Sequence, residues 1–188
     1  TNRQHADLKL YEFGKVYFKT DRIGEQPLES YYEEKQLVLA ITGNKTNDSW
    51  AVETKPTSFY TLKAHLENIL SKLKVEIDHL EQDYFSNDIC REGLIYKLNK
   101  KEIARLYIIS KDVKALFDVK NDVYFTQIQW DDLIKQYNKT RTVFSEIPKF
   151  PAVRRDLALL LDKNISFDQL KQMALRTEKK LLKQVGLF

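Results

Sequence analysis

Residues 93–110 read GLIYKLNKKEIARLYIIS, and this stretch decides the fold class of the chain. Every second position from 94 to 98 is Leu or Tyr, which is the spacing of a β-strand with one buried face. Asn99 and the lysines after it form a predicted turn, and residues 103–109 return as a second apolar run. The stretch therefore predicts a β-hairpin, the unit from which antiparallel sheets are built.

Further strands are predicted before this hairpin. Residues 8–18 form an extended segment, in which Gly14 predicts a bend or a bulge. Residues 34–42 contain the run LVLAI, which is apolar on both faces and therefore typical of a central strand. A polar loop that contains Gly and Pro occupies residues 21–30 between them. Together these segments predict a mainly antiparallel sheet.

A helix is predicted to follow these strands. Either Thr57 or Ser58 can cap its start, since both carry a side-chain hydroxyl and Pro56 precedes them. Apolar side chains then recur every three or four residues, at Leu62, Leu66, Ile69, Leu70 and Leu73. The helix is therefore expected to run to about Leu73 and to bury one face.

Three short elements complete this part of the chain. They are a predicted strand at 74–80, a strand at 123–129 and a helix at 130–137. A boundary is predicted near residues 138–146, where residues 138–142 are a polar string, and the two prolines beyond it favour an extended backbone. We therefore expect a first domain at residues 1–144 and a second at residues 145–188.

The second domain begins with a predicted strand at residues 156–162. Ser166 and Gln169 form a capping box that starts a helix, and residues 181–188 are strand-like again. This β-α-β order is that of the first half of a ferredoxin-like fold, whose completion needs further strands. The predicted fold class is thus α+β. Because the sequence starts without Met and ends in a strand-like run, we expect it to be a portion of a longer protein.

Composition excludes several kinds of site. The chain has only 5 glycines and no G-x-G-x-x-G or G-x-x-x-x-G-K spacing, so it lacks the loops that let backbone approach phosphate closely. A single cysteine, Cys90, cannot form an intrachain disulfide or a multi-cysteine zinc site, which fits a reducing, cytosolic compartment. The histidines, His5, His65 and His79, lack ligand spacing, so we predict no metal site. No apolar run approaches the ~20 residues of a membrane span.

Charge is concentrated at the end of the chain. Residues 145–188 carry nine basic and five acidic side chains, which accounts for the whole net charge of +4. This excess attracts phosphate only modestly and does not by itself establish nucleic-acid binding.

Three strings, in this order, resemble one protein family. Residues 10–18 read LYEFGKVYF, residues 59–63 read FYTLK, and residues 150–158 read FPAVRRDLA. They are similar to a strand, a helix start and the opening of the anticodon-binding domain in the β subunits of bacterial phenylalanyl-tRNA synthetases. Their order and spacing agree over nearly the whole chain, and the third string is the most specific.

The resemblance implies a class II synthetase-like module at residues 1–144 that has lost its chemistry, and a truncated ferredoxin-fold anticodon-binding domain at residues 145–188. It also implies a catalytic α subunit and tRNA(Phe) as partners, in a cytoplasmic (αβ)2 heterotetramer. ATP and Mg²⁺ would serve the complete enzyme, and this chain would bind no cofactor. Residues 86–90, SNDIC, and 110–114, SKDVK, depart from the family pattern, so no role is inferred for that face.

The residues themselves also indicate a chain without catalytic groups. Amino-acid activation needs arginines on the ATP phosphates and carboxylates for Mg²⁺, and the glycine-rich strand and helix start that would place one such arginine is absent. Glu12 lies on a predicted strand without a partner group, so a solvated or ion-paired role is favoured over acid–base catalysis. We predict that the isolated chain has no ATP–pyrophosphate exchange activity with phenylalanine.

Candidate tRNA contacts lie in the second domain. Arg154 and Arg155 could bind tRNA phosphates, but the favoured interpretation is that Asp156 pairs with one of them and the other is solvated. Phe150, ahead of Pro151, is expected to be a buried anchor at the domain boundary, which is favoured over a platform for base stacking. A solvated helix end is the favoured interpretation of the remaining candidates, which are Lys179, Lys180 and Lys183.

Three functions remain in order of preference. The first is a non-catalytic part of phenylalanine–tRNA ligase that scaffolds the α subunit and helps to position tRNA. The second is a stand-alone RNA-binding or protein-interaction module that reuses the same folds. An independently active ligase ranks last, because the motifs for it are missing.

Overall fold

The computed structural model describes residues 5–20, 30–46, 49–140, 144 and 146–187. The chain divides into two compact units, Thr1–Arg141 and Thr142–Phe188. Of the predicted loop at residues 21–30, only Ser30 lies within the described residues. Among the helices that the structure describes, none is long and apolar enough to cross a membrane.

The first unit is built on one six-stranded antiparallel sheet. Its strands are β1 (Leu8–Lys19), β2 (Tyr31–Thr42), β3 (Glu81–Phe85), β4 (Cys90–Leu98), β5 (Lys101–Ile109) and β6 (Val123–Gln129). They lie in the order β1-β2-β6-β5-β4-β3, so β2 is flanked on both sides and β1 and β3 are the edges. The predicted antiparallel sheet, with 34–42 in an inner strand, is confirmed.

The helices are α1 (Phe59–Lys72), α2 (Lys111–Leu116) and α3 (Trp130–Lys139) in the first unit, and α4 (Phe167–Thr177) in the second. Ser58 is the residue that caps α1: its Oγ accepts from the Thr61 N–H at 3.3 Å, and the Thr61 hydroxyl accepts from the Ser58 N–H. This reciprocal capping satisfies two N–H groups that a helix start leaves unpaired. The predicted helix is confirmed, as is the short helix that follows β6.

The predicted hairpin is formed by β4 and β5, with Leu94 opposite Leu106. Its two-residue turn is Asn99 and Lys100, whose φ angles are 51° and 65°. Two consecutive positive φ angles are typical of a type I′ turn, in which Asn is favoured and whose twist matches that of the strands.

The core lies between the sheet and the helices α1 and α3. Because side chains alternate across a strand, one face of the sheet supplies Leu37 and Ile41 from β2, Ile128 from β6 and Leu106 from β5. The helices supply side chains that are fully buried, each contributing about 1.5–3 kcal/mol to folding. They are Leu62, Leu66 and Leu70 of α1 and Leu133 of α3.

The opposite face of the sheet carries a row of aromatic rings. Phe125 lies opposite Tyr107, which lies opposite Gly93, which lies opposite Phe85. The Tyr107 and Phe125 ring centroids are 5.4 Å apart, and those of Tyr107 and Phe85 are 6.0 Å apart. A Cβ atom on Gly93 would lie 2.5 Å from Cζ of Phe85. The glycine therefore leaves the space that the Phe85 ring occupies.

The predicted bend or bulge at Gly14 is wrong. The register between β1 and β2 runs without a shift from the Leu8–Thr42 pair to the Lys19–Tyr31 pair, with Gly14 opposite Gln36. A Cβ atom at position 14 would meet nothing within 4 Å. The strand therefore continues through the glycine because nothing at this position requires a different backbone.

The strand predicted at residues 74–80 is also wrong, since a 3₁₀ turn at Ile77–His79 occupies this segment. Lys74 has a φ of 57°, which reverses the chain directly after α1, and the Val75 N–H donates to the Leu70 carbonyl at 3.0 Å. Val75 and Leu80 are buried in the core. They are anchored by a compact turn, and pairing with β4 starts only at Glu81.

The second unit contains α4 and, among residues 146–187, no strand. The predicted capping box is confirmed, since Ser166 Oγ accepts from the Gln169 N–H at 3.3 Å and Gln169 Oε1 accepts from the Ser166 N–H at 2.9 Å. The strands predicted at 156–162 and 181–188 are wrong for residues 156–162 and 181–187, and Phe188 lies outside the described residues. A strand needs a partner for its backbone, and in a split β-α-β unit the two strands are not neighbours. The β-α-β order alone therefore does not supply the neighbouring strand with which each predicted strand would pair.

Asp122 ties α2 to the sheet and gives the first unit a measurable pH dependence. Its Oδ1 accepts from Lys114 Nζ at 2.6 Å, and Arg91 lies 3.6 Å from its other oxygen. The Lys114 ammonium lowers the pKa of the Asp122 carboxyl below its usual value. This contribution is present above the unfolded-state pKa, about 3.9, and is lost as pH falls through the lower folded-state pKa.

We therefore expect Asp122→Asn to remove that part of the pH dependence. The free energy of unfolding should fall by under about 1 kcal/mol at neutral pH, because the carboxyl is partly screened by solvent. Once the pH falls below the lowered folded-state pKa of Asp122, the variant and the parent chain should converge. Asp88→Asn, at an exposed position where no ion pair is described, is the matched control. Denaturant titrations at a series of pH values measure the difference, and an unchanged gap at low pH would contradict this assignment.

Candidate nucleic-acid interface

The arginines of the second unit lie on an irregular, exposed segment. Arg154 Nε is 3.5 Å from Asp156 Oδ1, which is the pairing expected for one of the two arginines. Arg155 is exposed and forms no ion pair with any residue that the structure describes. Since both partners of the Arg154–Asp156 pair are mostly exposed, the pair contributes little to stability and leaves both arginines accessible to an anionic ligand.

The candidate lysines follow directly after α4. Lys179, Lys180 and Lys183 are exposed. The backbone between them is held by Glu178, whose Oε1 accepts from the Lys180 N–H at 2.7 Å and the Leu181 N–H at 2.9 Å. These two hydrogen bonds lower the pKa of the Glu178 carboxyl. The turn after the helix is therefore fixed while the ammonium groups remain in solvent.

Phe150 does not occupy the predicted buried site. It is 86% exposed, and Pro151 beside it is exposed as well. Other apolar side chains of the same segment, among them Val153 and Leu157, are also exposed. The predicted anchor role is wrong for the described residues, because a phenyl ring needs packed elements around it and its own segment forms no strand.

The exposed cations of the second unit can attract phosphate. In the described part of the second unit, no hydrogen bond or ion pair joins the arginine pair to the lysines. Exposed Lys and Arg side chains give a salt-dependent attraction to nucleic acid that carries little sequence preference.

His79 has a carboxylate neighbour at the exposed surface, since its Nδ1 lies 2.9 Å from Glu76 Oε2. Glu12 on β1 lies opposite Val38, an apolar neighbour. His5, His65 and His79 are exposed, as expected of surface residues, and burial raises the pKa of the Cys90 thiol. Within the described residues no group of three or more His, Cys, Asp and Glu side chains is placed to hold a metal ion.

The two segments that depart from the family pattern meet in the fold, a contact that the sequence did not indicate. The Ser110 N–H donates to the Ile89 carbonyl at 2.8 Å, and the Ser110 hydroxyl donates to the Asp88 carbonyl at 2.7 Å. Asn87 Oδ1 accepts from the N–H groups of Ile89 and Cys90. Residues 86–90 and residue 110 therefore satisfy each other's backbone hydrogen-bonding groups, which supports a structural role for the two segments.

Two family models match the chain in succession. Residues 1–130 match the phenylalanyl tRNA synthetase beta chain CLM domain. Residues 148–188 match the ferredoxin-fold anticodon binding domain. The second match covers all five candidate cations.

Relatives in other organisms match the chain from end to end. A phenylalanine–tRNA ligase beta subunit of Bacteroides thetaiotaomicron is 41% identical over 190 residues, which cover 100% of this chain and 23% of that protein. The corresponding subunit of Thermotoga maritima is 29% identical over 186 residues, covering 99% of this chain and 22% of that protein. The chain thus spans under a quarter of the length of these relatives.

A solved structure with a similar backbone is a pyrrolysyl tRNA synthetase of Desulfitobacterium hafniense. Its TM-score is 0.49 at 13% sequence identity, and the match covers 74% of this chain and 45% of that one.

Proposed function

Since the chain belongs to the family of phenylalanyl-tRNA synthetase beta chains, we propose that it forms part of the β subunit of an enzyme that attaches phenylalanine to tRNA(Phe) at the expense of ATP. One observation carries this proposal. The two family domains follow each other in a single chain, at residues 1–130 and 148–188, as a synthetase subunit that also contacts tRNA requires.

In this proposal the first unit is a scaffold for a catalytic α subunit. Its support is chemical: the sequence lacks the glycine-rich strand and helix start that would place an arginine on ATP, and Glu12 has an apolar neighbour across the sheet. ATP and Mg²⁺ then act at the α subunit, and the complete enzyme is a cytoplasmic (αβ)2 heterotetramer. The contribution of this chain is to hold the partner and to place tRNA.

The experiment is co-expression of the complete β subunit with candidate α subunits, followed by purification and an aminoacylation assay with phenylalanine and tRNA(Phe). We expect the two subunits to purify together and to aminoacylate only in combination. The isolated chain should show no ATP–pyrophosphate exchange. Exchange that disappears when a residue of this chain is substituted would contradict the non-catalytic assignment.

The alternative, a stand-alone RNA-binding or protein-interaction module, predicts a different outcome of the same experiment. Such a module would bind RNA or protein, yet its removal would leave aminoacylation unchanged. Loss of aminoacylation on deletion of residues 1–141 from the complete subunit would exclude this alternative.

The second unit should contribute a weak, salt-dependent attraction to tRNA. We expect the triple variant Lys179→Gln, Lys180→Gln, Lys183→Gln to make the slope of log association constant against log salt concentration less steep. The magnitude of the slope should fall by about 2 to 3, since each phosphate contact contributes about 0.7–0.9. Filter binding of a tRNA(Phe) transcript over a salt series measures the slope.

A triple variant on the first unit, Lys72→Gln, Lys120→Gln, Lys139→Gln, carries the same change of charge and is the control. It should leave the slope closer to that of the parent chain. Sub-micromolar binding that depends on the anticodon, at physiological salt, would show that the second unit reads more than phosphate charge.

A further inference from the structure

The ends of β1 and β2 project beyond the rest of the sheet as a two-stranded ribbon. The β2–β6 register ends at the Gln36–Gln129 pair, whereas the β1–β2 register continues to the Lys19–Tyr31 pair. Residues 15–19 and 31–35 therefore pair only with each other among the strands that the structure describes. β1 is also an edge of the sheet, so its outer side is open along its length.

One face of this ribbon combines lysines with exposed aromatic rings, and we name it the basic ribbon face. Alternate residues of a strand share a face, as do directly opposed residues of two antiparallel strands. The face comprises Lys9, Tyr11, Phe13, Lys15, Tyr17 and Lys19 of β1 with Tyr31, Glu33 and Lys35 of β2. Further along β2 the same face carries Leu37, Leu39 and Ile41, which belong to the core or pack against it, so the β2 side is open only at residues 31–35. Tyr11 is 75% and Tyr17 67% exposed, whereas Phe13 packs edge-on against Trp130.

Two lysines of this face oppose each other directly. Lys15 pairs in register with Lys35, and like charges at opposed positions destabilise a sheet. Glu33 compensates one of them, since its Oε1 lies 2.6 Å from Lys15 Nζ and raises the pKa of that lysine. An ammonium has three donors, so Lys15 retains donors for a further anion. A phosphate between Lys15 and Lys35 would relieve their repulsion.

Acidic groups near the ribbon offset part of this charge, since Asp131 joins Glu33 in raising the pKa of Lys15. Glu12 and Glu34 lie on the opposite face by the alternation of the strands. Asp131 at the start of α3 accepts from the backbone N–H of Lys35 at 3.0 Å. Lysines on an edge strand also deter unwanted strand pairing, which is a general role for such residues. That role does not require exposed tyrosines between them.

We propose that the basic ribbon face binds a single-stranded segment of RNA, with phosphate near Lys15 and Lys35 and bases stacked on Tyr11 and Tyr17. Aromatic rings that alternate with cations are the two components of surfaces that bind single strands without reading sequence. Side chains on one face of a strand repeat every ~6.6–6.8 Å, so the eleven residues from Lys9 to Lys19 span about 33 Å. This site lies in the first unit and is separate from the anticodon-binding unit.

Stacking is tested with a fluorescein-labelled RNA of about 12 uridines, within the ~4–16 nucleotides that such surfaces bind. Binding is followed by fluorescence anisotropy in the 188-residue chain that carries Lys179→Gln, Lys180→Gln and Lys183→Gln, so that the second unit does not mask the ribbon. Tyr17→Ala should weaken binding at least about 5-fold. Tyr84→Ala, at an exposed tyrosine of the other edge strand, should leave it unchanged.

Charge is tested by a variant whose effects on binding and stability run in opposite directions. Lys35→Gln should reduce the magnitude of the slope of log association constant against log salt concentration by about 0.7, which is the contribution of one phosphate contact to a single strand. The same change should leave stability unchanged or raise it, since the repulsion from Lys15 is removed. Lys120→Gln removes an equal charge outside the ribbon and is the control.

Absence of RNA binding by the parent chain, or equal binding by the Tyr17→Ala and Tyr84→Ala variants, would overturn the proposal. An equal effect of Lys35→Gln and Lys120→Gln would do the same, because it would show a response to net charge only. If Tyr17→Ala instead abolished co-purification with the α subunit and left RNA binding intact, the ribbon would be a protein interface. Each of these results is independent of whether the complete β subunit supports aminoacylation.

Discussion

Leu66→Ala should lower the free energy of unfolding of the first unit by about 3–5 kcal/mol. Leu66 is fully buried at the centre of α1, between the equally buried Leu62 and Leu70. Truncation removes apolar contacts and leaves a cavity. The loss of unfolding free energy is largest where the surrounding side chains cannot move in to fill that cavity. Here the sheet limits that collapse, because α1 packs against its two central strands, β5 and β6, which carry the fully buried Leu106 and Ile128.

Denaturant unfolding followed by the fluorescence of Trp130 measures this loss, since that ring contacts Phe13 and packs against the core. The fully exposed Trp50 is replaced by Phe in both proteins, so that a single tryptophan reports. His65→Ala, at the exposed neighbour on the same helix, is the control and should change stability by under about 0.5 kcal/mol. A loss below about 1 kcal/mol for Leu66→Ala would place this helix outside the core.

Gly43→Ala should cost about 2–4 kcal/mol through backbone strain and steric conflict. Gly43 directly follows β2 and has a φ of 77°, a conformation that a residue with a Cβ adopts at a cost. The added Cβ would lie 2.5 Å from the Ala6 carbonyl oxygen and closer still to the Asp7 carboxylate. That carboxylate accepts from the Asn44 N–H at 2.7 Å, so it cannot move away without loss of a hydrogen bond.

Gly14→Ala is the matched control for this substitution. A Cβ at position 14 meets nothing within 4 Å, and alanine is favoured over glycine inside a strand. The control should therefore leave the free energy of unfolding unchanged or raise it slightly. Thermal and denaturant unfolding of both variants measure the difference, and equal stability of the two variants would contradict the geometry of the β2 terminus.

Much of the first unit could be predicted because its signals are local. The strand at 123–129 and the β4–β5 hairpin follow from alternation and from one turn, and α1 follows from a cap and a leucine spacing. The segment at 74–80 failed because Val75 and Leu80 are apolar for packing, not for pairing. At Gly14 the glycine suggested a bend or a bulge, but the strand pairs with β2 without interruption.

The second unit was harder to predict, for a physical reason. The capping box at Ser166 is a contact over three residues and was predicted correctly, as was a pairing of Asp156 with an arginine. Strand formation and the burial of Phe150 depend on partners distant in sequence. The Lys15–Lys35 juxtaposition was missed for the same reason, since it depends on the register between two strands and not on either strand alone.

The position of β6 beside β2 also bears on the order in which the first unit folds. The β4–β5 pairing closes across a two-residue turn, whereas the Thr42 hydroxyl reaches the Asp122 carbonyl 80 residues away. Closing so long a loop is entropically unfavourable until the segments that contain β2 and β6 have each become ordered. The pairing of β2 with β6 is therefore expected to form last. Substitutions of residues through which β2 pairs with β6 should therefore accelerate unfolding more than they slow folding. Substitutions in the β4–β5 hairpin should instead slow folding.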